Sequence, residues 1–130
     1  DIQWEHQEYK GKTVFEMFPQ IQFYDYTKTP TRKVEGITNY HLTWSYSEAN
    51  EKYSELFDKV PNNKAVVFRN LLPSMFKDVK VIDGDEHDMR FLDEPNVVVG
   101  LKAKGKAKKD YSGFVIDNLI EARALWNIII

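Results

Sequence analysis

The sequence predicts an α/β domain built from βα units around a mainly parallel sheet. Three observations lead there. Segments of strand character alternate with segments of helical character, the pattern of βαβ units. The apolar runs at residues 65–68 and 97–99 lack polar alternation, as strands covered on both faces do. And 130 residues with 42% hydrophobic and 14% aromatic side chains are enough for one real core, which excludes wholesale disorder. No Ser/Gly linker, low-complexity tract or repeat divides the chain, so residues 1–130 read as a single α/β domain. The chain opens on Asp1 rather than Met, so it reads as processed or as a fragment of a longer chain.

Each element has its own local signal. Residues 1–5 read as the end of a strand entering a loop. Residues 13–18 form a short amphipathic helix stopped by Pro19. Residues 21–26 (IQFYDY) are aromatic and β-branched, a strand. Residues 27–36 carry Pro30 and many polar side chains, a loop with a short helix. Residues 40–46 (YHLTWSY) make the next strand. Ser47 then offers a helix N-cap. Behind it Ala49, Tyr53, Leu56, Phe57 and Val60 fall on one helical stripe, with Glu48–Lys52 and Glu55–Lys59 as i,i+4 pairs, until Pro61. Residues 64–69 (KAVVFR) read as a buried strand, 71–76 as a turn or short helix broken by Pro73, and 79–83 as a short strand or extended segment. Residues 96–102 (NVVVGLK) are again a buried strand. Asp117 is placed to cap a last helix carrying Leu119, Ile120, Arg123 and Leu125. Trp126 and the isoleucines 128–130 must be buried in this chain or against a partner, because such a tail is adhesive in water.

Composition excludes several functions. Lys and Arg number 18 against 20 Asp and Glu, so a globally basic nucleic-acid binder is disfavoured while a local basic patch is not. Cysteine is absent, which excludes a disulfide, a thiolate metal site, an Fe–S cluster held by this chain and a Cys nucleophile. No apolar run approaches the ~20 residues of a membrane span, and no signal peptide is expected.

Four strings carry a family likeness: FYDYTKTP (23–30), NYHLTWSYSEANE (39–51), VIDGDEHDMRFLD (81–93) and VVVGLKAKGKAKKDYSGFVI (97–116). In these the chain resembles an uncharacterised family of phage-encoded proteins, the group related to the mycobacteriophage gene product 88 proteins. The resemblance runs in order over nearly the whole chain. It implies a TIM-type (β/α) barrel of which this chain is the C-terminal part. It also implies a Cys-bearing, radical-SAM-like N-terminal half, which is absent here, so cluster chemistry does not carry over. A phage origin implies the cytoplasm of an infected bacterium. The family supplies no activity to transfer.

Three constellations bear chemistry. The acidic segment Asp83-Gly84-Asp85-Glu86-His87-Asp88 continues to Arg90 and Asp93. In an extended chain Asp83, Asp85 and His87 share a face, where they are candidates for acid–base work or for a divalent cation such as Mg²⁺ or Mn²⁺. Its spacing is not an EF-hand, and a solvated Asp-Gly turn is the plainer reading. The basic segment 100–109 follows a buried strand with five lysines and two glycines. Lys102, Lys104 and Lys106, with Arg69, are the candidate phosphate ligands, although Walker A spacing is missing. In TIM barrels the phosphate site is often built from the last strand–loop units. A lysine-guarded edge is the alternative, as is mutual neutralisation of the two segments in a surface salt-bridge network. The third set is the expected strand-end rim: Asp25, Thr27 and Lys28, then Ser45, Ser47 and Glu48, then Arg69, with Tyr24, Tyr26, Trp44 and Tyr46 beside them. Aromatics beside cations can stack a base whose phosphate the cations hold. Half of those aromatics are expected in the core, His41 is expected to be packed, and Ser47 is read as a cap rather than a nucleophile.

Two functions follow as expectations. One is a phage accessory protein whose rim binds a nucleotide or nucleic acid through its phosphates. The other is a non-catalytic module that binds a host protein or a second copy of itself through an apolar edge. No membrane role is expected.

Overall fold

The computed structural model describes residues 1–117. Among them are two short α-helices, α1 (Val14–Met17) and α2 (Glu51–Glu55). Seven strands follow the order β1 (Phe23–Thr27), β2 (Tyr40–Ser45), β3 (Lys64–Phe68), β4 (Met75–Phe76), β5 (Val79–Asp83), β6 (Val98–Lys102) and β7 (Val115–Ile116). Three 3₁₀ turns lie at Trp4–His6, Arg90–Leu92 and Gly105–Lys109. The predicted last helix and the isoleucine tail lie outside the described residues.

The strands form one mostly parallel sheet in the order β1-β2-β3-β6-β5-β4, with β7 on β3. The β4/β5 pair is antiparallel, closed by Lys77 and Asp78, both at positive φ as a tight two-residue hairpin requires. The α/β class and the parallel sheet are therefore as expected. Among the described residues the sheet does not close into a barrel. Its order is not sequential either, since β6 lies between β3 and β5, whereas in a TIM barrel each strand neighbours the next in sequence.

The largest departure concerns the βα units. The helix expected from Ser47 to Pro61 is the five residues of α2. The Glu48 N–H donates to the Gly113 carbonyl at 3.1 Å, so this backbone lies alongside the segment leading into β7. Ser47 Oγ instead accepts from the Ala49 N–H (3.0 Å), and Asn50 is the actual cap, taking the Lys52 N–H at 3.0 Å. Glu48 pairs with Lys77 at 3.6 Å rather than with Lys52. The apolar stripe is buried all the same: Phe57 and Val60 are core residues, with Tyr53 and Leu56 packed against them. Other corrections are smaller. Residues 27–36 hold turns without a helix, residues 75–76 are a strand, and the N-terminal residues form a 3₁₀ turn rather than a strand end. The helix at 13–18 is present, closed by a reciprocal Thr13–Glu16 capping box.

Register places Tyr40, Leu42, Trp44 and Tyr46 on one face with Val66, Phe68, Val98 and Val81. Two clusters cover that face. Phe15 stacks on Tyr40 with ring centroids 4.2 Å apart, beside Val34 and Leu42. Trp44, Tyr46, Phe57, Phe68 and Phe76 meet edge to face across the larger cluster. The other face, with His41, Thr43, Ala65 and Val99, is crossed by the connection from β5 to β6, which buries Arg90.

Candidate functional site: the strand-end rim

Because β1, β2, β3, β6 and β5 run parallel, their C-terminal ends share one rim. In spatial order it carries Thr27 and Lys28, Ser45 and Ser47, Arg69, Lys102 and Lys104, then Asp83 and Asp85. The third constellation of the sequence is thus brought together. Strand alternation divides its aromatics: Trp44 and Tyr46 are buried in the core, while Tyr24 and Tyr26 stand 42% and 39% exposed.

Two clefts flank the end of β1. One, of about 440 Å³, is lined by Lys28, Ser45, Ser47, Tyr53, Asp110 and Phe114. The second, of about 460 Å³, is lined by Trp4, Asp25, Tyr26 and Thr27, and shares Lys28 and Ser45 with the first. They form one trough over the ends of β1 and β2.

The connection from β6 to β7 runs over the rim. Ala103 is buried and its N–H bonds the Phe68 carbonyl at 2.9 Å, anchoring the loop on β3. Gly105 enters the 3₁₀ turn at φ +55°, and Lys106, Lys108 and Lys109 project from it into solvent. None of these three forms an ion pair among the described residues. Arg69 holds the turn from below. Its guanidinium donates to the Lys108 carbonyl (2.6 Å) and the Asp110 carbonyl (2.5 Å), pairs with Asp117 at 3.6 Å, and lies 4.2 Å from the Tyr111 ring centroid. Arg69 therefore shapes the lysine loop.

The acidic residues do not gather on one face. The strand stops at Asp83, and Asp83 Oδ1 accepts the Asp85 N–H at 2.9 Å in a local turn. Asp85 reaches to the basic segment: it accepts the Lys102 N–H at 3.1 Å and pairs with the Lys104 ammonium at 3.0 Å. Burial raises its carboxyl, and those two bonds outweigh burial, leaving the pKa below the usual carboxylate value. His87 turns away, its Nδ1 accepting the Met89 N–H at 3.2 Å and its carbonyl taking Arg90 Nη2 at 2.6 Å. No group of three or more His, Asp or Glu placed to hold a metal occurs among the described residues. The mutual neutralisation read from the sequence is present at Asp85 and Lys104.

His41 is half-buried, with Nε2 3.4 Å from Thr43 Oγ1. Burial lowers its pKa, against Asp93, which raises it, and with Arg90, which lowers it further. Sequence reasoning missed Tyr111, Phe114 and Asp110 as rim residues. The signal available was an aromatic directly after a lysine run.

The fold and rim define an open α/β sheet with a basic loop laid across the C-terminal ends of its strands. The family model described as Gene product 88 matches residues 1–118, and the chain belongs to that phage family. No curated protein and no solved structure matches it. No helix among the described residues is long and apolar enough to cross a membrane.

Proposed function

We propose that this chain binds a phosphate-bearing ligand, a nucleotide or nucleic acid, along the strand-end rim in the cytoplasm of an infected bacterium. The observation that carries the reading is the turn Gly105–Lys109, whose exposed lysines have no acidic partner among the described residues while Arg69 fixes the backbone beneath them. Unpaired lysines on a rigid loop neutralise phosphates and release counterions without first breaking an ion pair. Lys106, Lys108 and Lys109 are the principal contacts. Lys102 lies beside them, and Asp85 positions Lys104 rather than acting as an acid or base. Lys28, Ser45 and Ser47 in the adjoining trough extend the polar path.

The test is fluorescence anisotropy of a short labelled oligonucleotide titrated at several salt concentrations. Wild type gives salt-sensitive binding. The triple variant Lys106→Ala, Lys108→Ala, Lys109→Ala loses affinity and flattens the salt slope by about 0.7 per lost contact on a single strand. Unchanged affinity and slope in the triple variant defeat the reading.

A second reading rests on the edge of the sheet. β1 is the outermost strand among the described residues, and Ile2, Trp4, Phe18, Ile21 and Tyr24 around it are 42–51% exposed. An open strand edge with apolar neighbours favours self-association or a protein partner. Light scattering decides this one: a mass of one chain at all concentrations removes self-association.

A further inference from the structure

We infer that the ligand of the rim is single-stranded nucleic acid and that Tyr111 is the platform on which one of its bases stacks. The inference rests on the phosphate-binding reading above and goes beyond it in naming the strand form and a base-contacting residue.

Tyr111 is 78% exposed, yet its ring is not left to swing free. One face lies against the Arg69 guanidinium at 4.2 Å, and that guanidinium is itself held by the carbonyls of Lys108 and Asp110. The backbone on the far side is locked as well. Asp110 Oδ1 accepts from the Ser112 N–H (2.9 Å) and Oγ (2.6 Å), and Ser112 Oγ accepts the Phe114 N–H at 3.3 Å. Gly113 stands at φ +105°, where a Cβ would come within 2.8 Å of the backbone of Glu48 and Ala49. So the segment carrying Tyr111 has one course past the rim.

Such a ring is an aromatic surface with a cation behind it and its other face open to solvent. A base stacking on it costs little ordering, because the ring is already placed. Lys108 and Lys109 precede it directly in the chain, so cations for the flanking phosphates lie beside the platform. The exposed lysines 102, 106, 108 and 109, with Lys104 held by Asp85, offer more positive groups than one nucleotide's phosphates need. In a duplex both faces of each base are covered by neighbours, so a single exposed tyrosine reaches a base only in a single strand.

The experiment compares three probes against wild type, Tyr111→Ala, Tyr111→Phe and the triple lysine variant: single-stranded oligothymidylate, an abasic strand of equal length, and a duplex. The expected result is about a tenfold or greater loss of oligothymidylate affinity in Tyr111→Ala, with Tyr111→Phe close to wild type. The abasic strand binds Tyr111→Ala and wild type alike, and the duplex binds wild type more weakly than the single strand. The triple lysine variant loses both single strands. Equal oligothymidylate binding by wild type and Tyr111→Ala overturns the stacking inference and leaves the lysine reading standing, as does a duplex that binds tighter than the single strand. A triple lysine variant that binds every probe like wild type overturns the phosphate reading itself. Circular dichroism of each variant confirms the fold, and the wild-type comparison keeps the test decisive if Tyr111→Ala is poorly folded: equal affinity of wild type for oligothymidylate and the abasic strand overturns base stacking.

Discussion

Two arginines are buried among the described residues, and they are treated differently. Arg32, 5% exposed, has a partner on each guanidinium nitrogen: Glu5 takes Nε at 2.9 Å and Nη2 at 2.6 Å, Asp1 takes Nη1 at 2.9 Å, and the Tyr40 hydroxyl accepts from Nη2 at 3.0 Å. Arg90, 1% exposed, donates Nη2 to the His87 carbonyl at 2.6 Å. Its Nε lies 3.3 Å from Asp93 Oδ2 out of line for a hydrogen bond, and Nη1 has no hydrogen-bond partner. Arg32 ties the N-terminal segment to β2 with bidentate geometry, which repays desolvation best. Arg90 pins the β5–β6 connection to the opposite sheet face mostly by shape. The comparison teaches that equal burial of one residue type does not mean equal stabilisation.

The largest effect should come from breaking the Arg32 set. Glu5→Ala leaves the Arg32 cation buried with one carboxylate fewer, and a loss of about 3–5 kcal/mol is expected. Urea denaturation measures it. Replacing the whole incompletely satisfied pair, Arg90→Met together with Asp93→Leu, should cost far less, within about 1 kcal/mol, because no buried carboxylate is then left without its cation. If the two changes cost the same, the contrast between the arginines is wrong.

Between these lies Gly84, which lets Arg90 lie where it does. A Cβ there would come closest to Val99 Cγ1, and within 2.8 Å of Arg90 Nη1 and of Leu101 Cδ2. Gly84→Ala should therefore cost about 1–3 kcal/mol by overpacking. Introduced into the Arg90→Met, Asp93→Leu background, Gly84→Ala should cost less than in wild type, because one of its three clashing groups is gone while Val99 and Leu101 remain.

Acid sharpens the same contrast. The Arg32 hydrogen bonds hold the Glu5 carboxyl below its usual value. Its contribution is fully present above the unfolded carboxylate pKa of ~4.3 and is lost as pH falls through the lowered folded value. His41, beside Arg90 and Asp93, behaves differently. Burial lowers its pKa, so below ~6.5 the unfolded chain takes up a proton that the folded chain refuses. Stability should decline first from about pH 6.5 downward and then again below about pH 4.3. His41→Gln removes the upper step and Glu5→Gln shrinks the lower one, to which Asp85 also contributes, as thermal melts across pH will record.

Neither arginine's role was legible in the sequence. Arg90 read as one more charge in an acidic segment, and Arg32 sat in a polar loop without periodicity. The Asp1 and Glu5 partners of Arg32 lie far back along the chain, and although His87 and Asp93 stand only three residues either side of Arg90, the packing of that segment against the sheet is not written in any local pattern. The strands at 23–27, 40–45, 64–68, 79–83 and 98–102 were legible because β-branched and aromatic runs bounded by turn residues are a local signal. The long helix after Ser47 was over-read. Its stripe of Tyr53, Leu56, Phe57 and Val60 is needed to cover Trp44 and Val66, but turns bury those side chains as well as a helix does. The two-residue strands β4 and β7 are too short to show a period. The rim was legible as soon as a parallel sheet was, since strand ends then gather. The Arg69–Tyr111 contact was not, because it depends on how the last connection folds back over β3.

The smallest stability effect is expected on the rim itself. Lys104 is mostly exposed, and its pair with Asp85 is the kind of surface bridge that contributes about 0–1 kcal/mol. Lys104→Ala should thus leave the urea midpoint almost unchanged. Asp85→Asn should cost somewhat more, because Asp85 also accepts the Lys102 N–H and so fastens the start of the lysine loop to the end of β5. If the rim is a phosphate site, Asp85→Asn also frees Lys104 and removes a negative charge, so oligonucleotide affinity should rise while stability falls slightly. A structural ion-pair network without a ligand predicts the stability change alone. Measuring both quantities on this one variant separates a loop held together for its own sake from a loop held in place to meet phosphate.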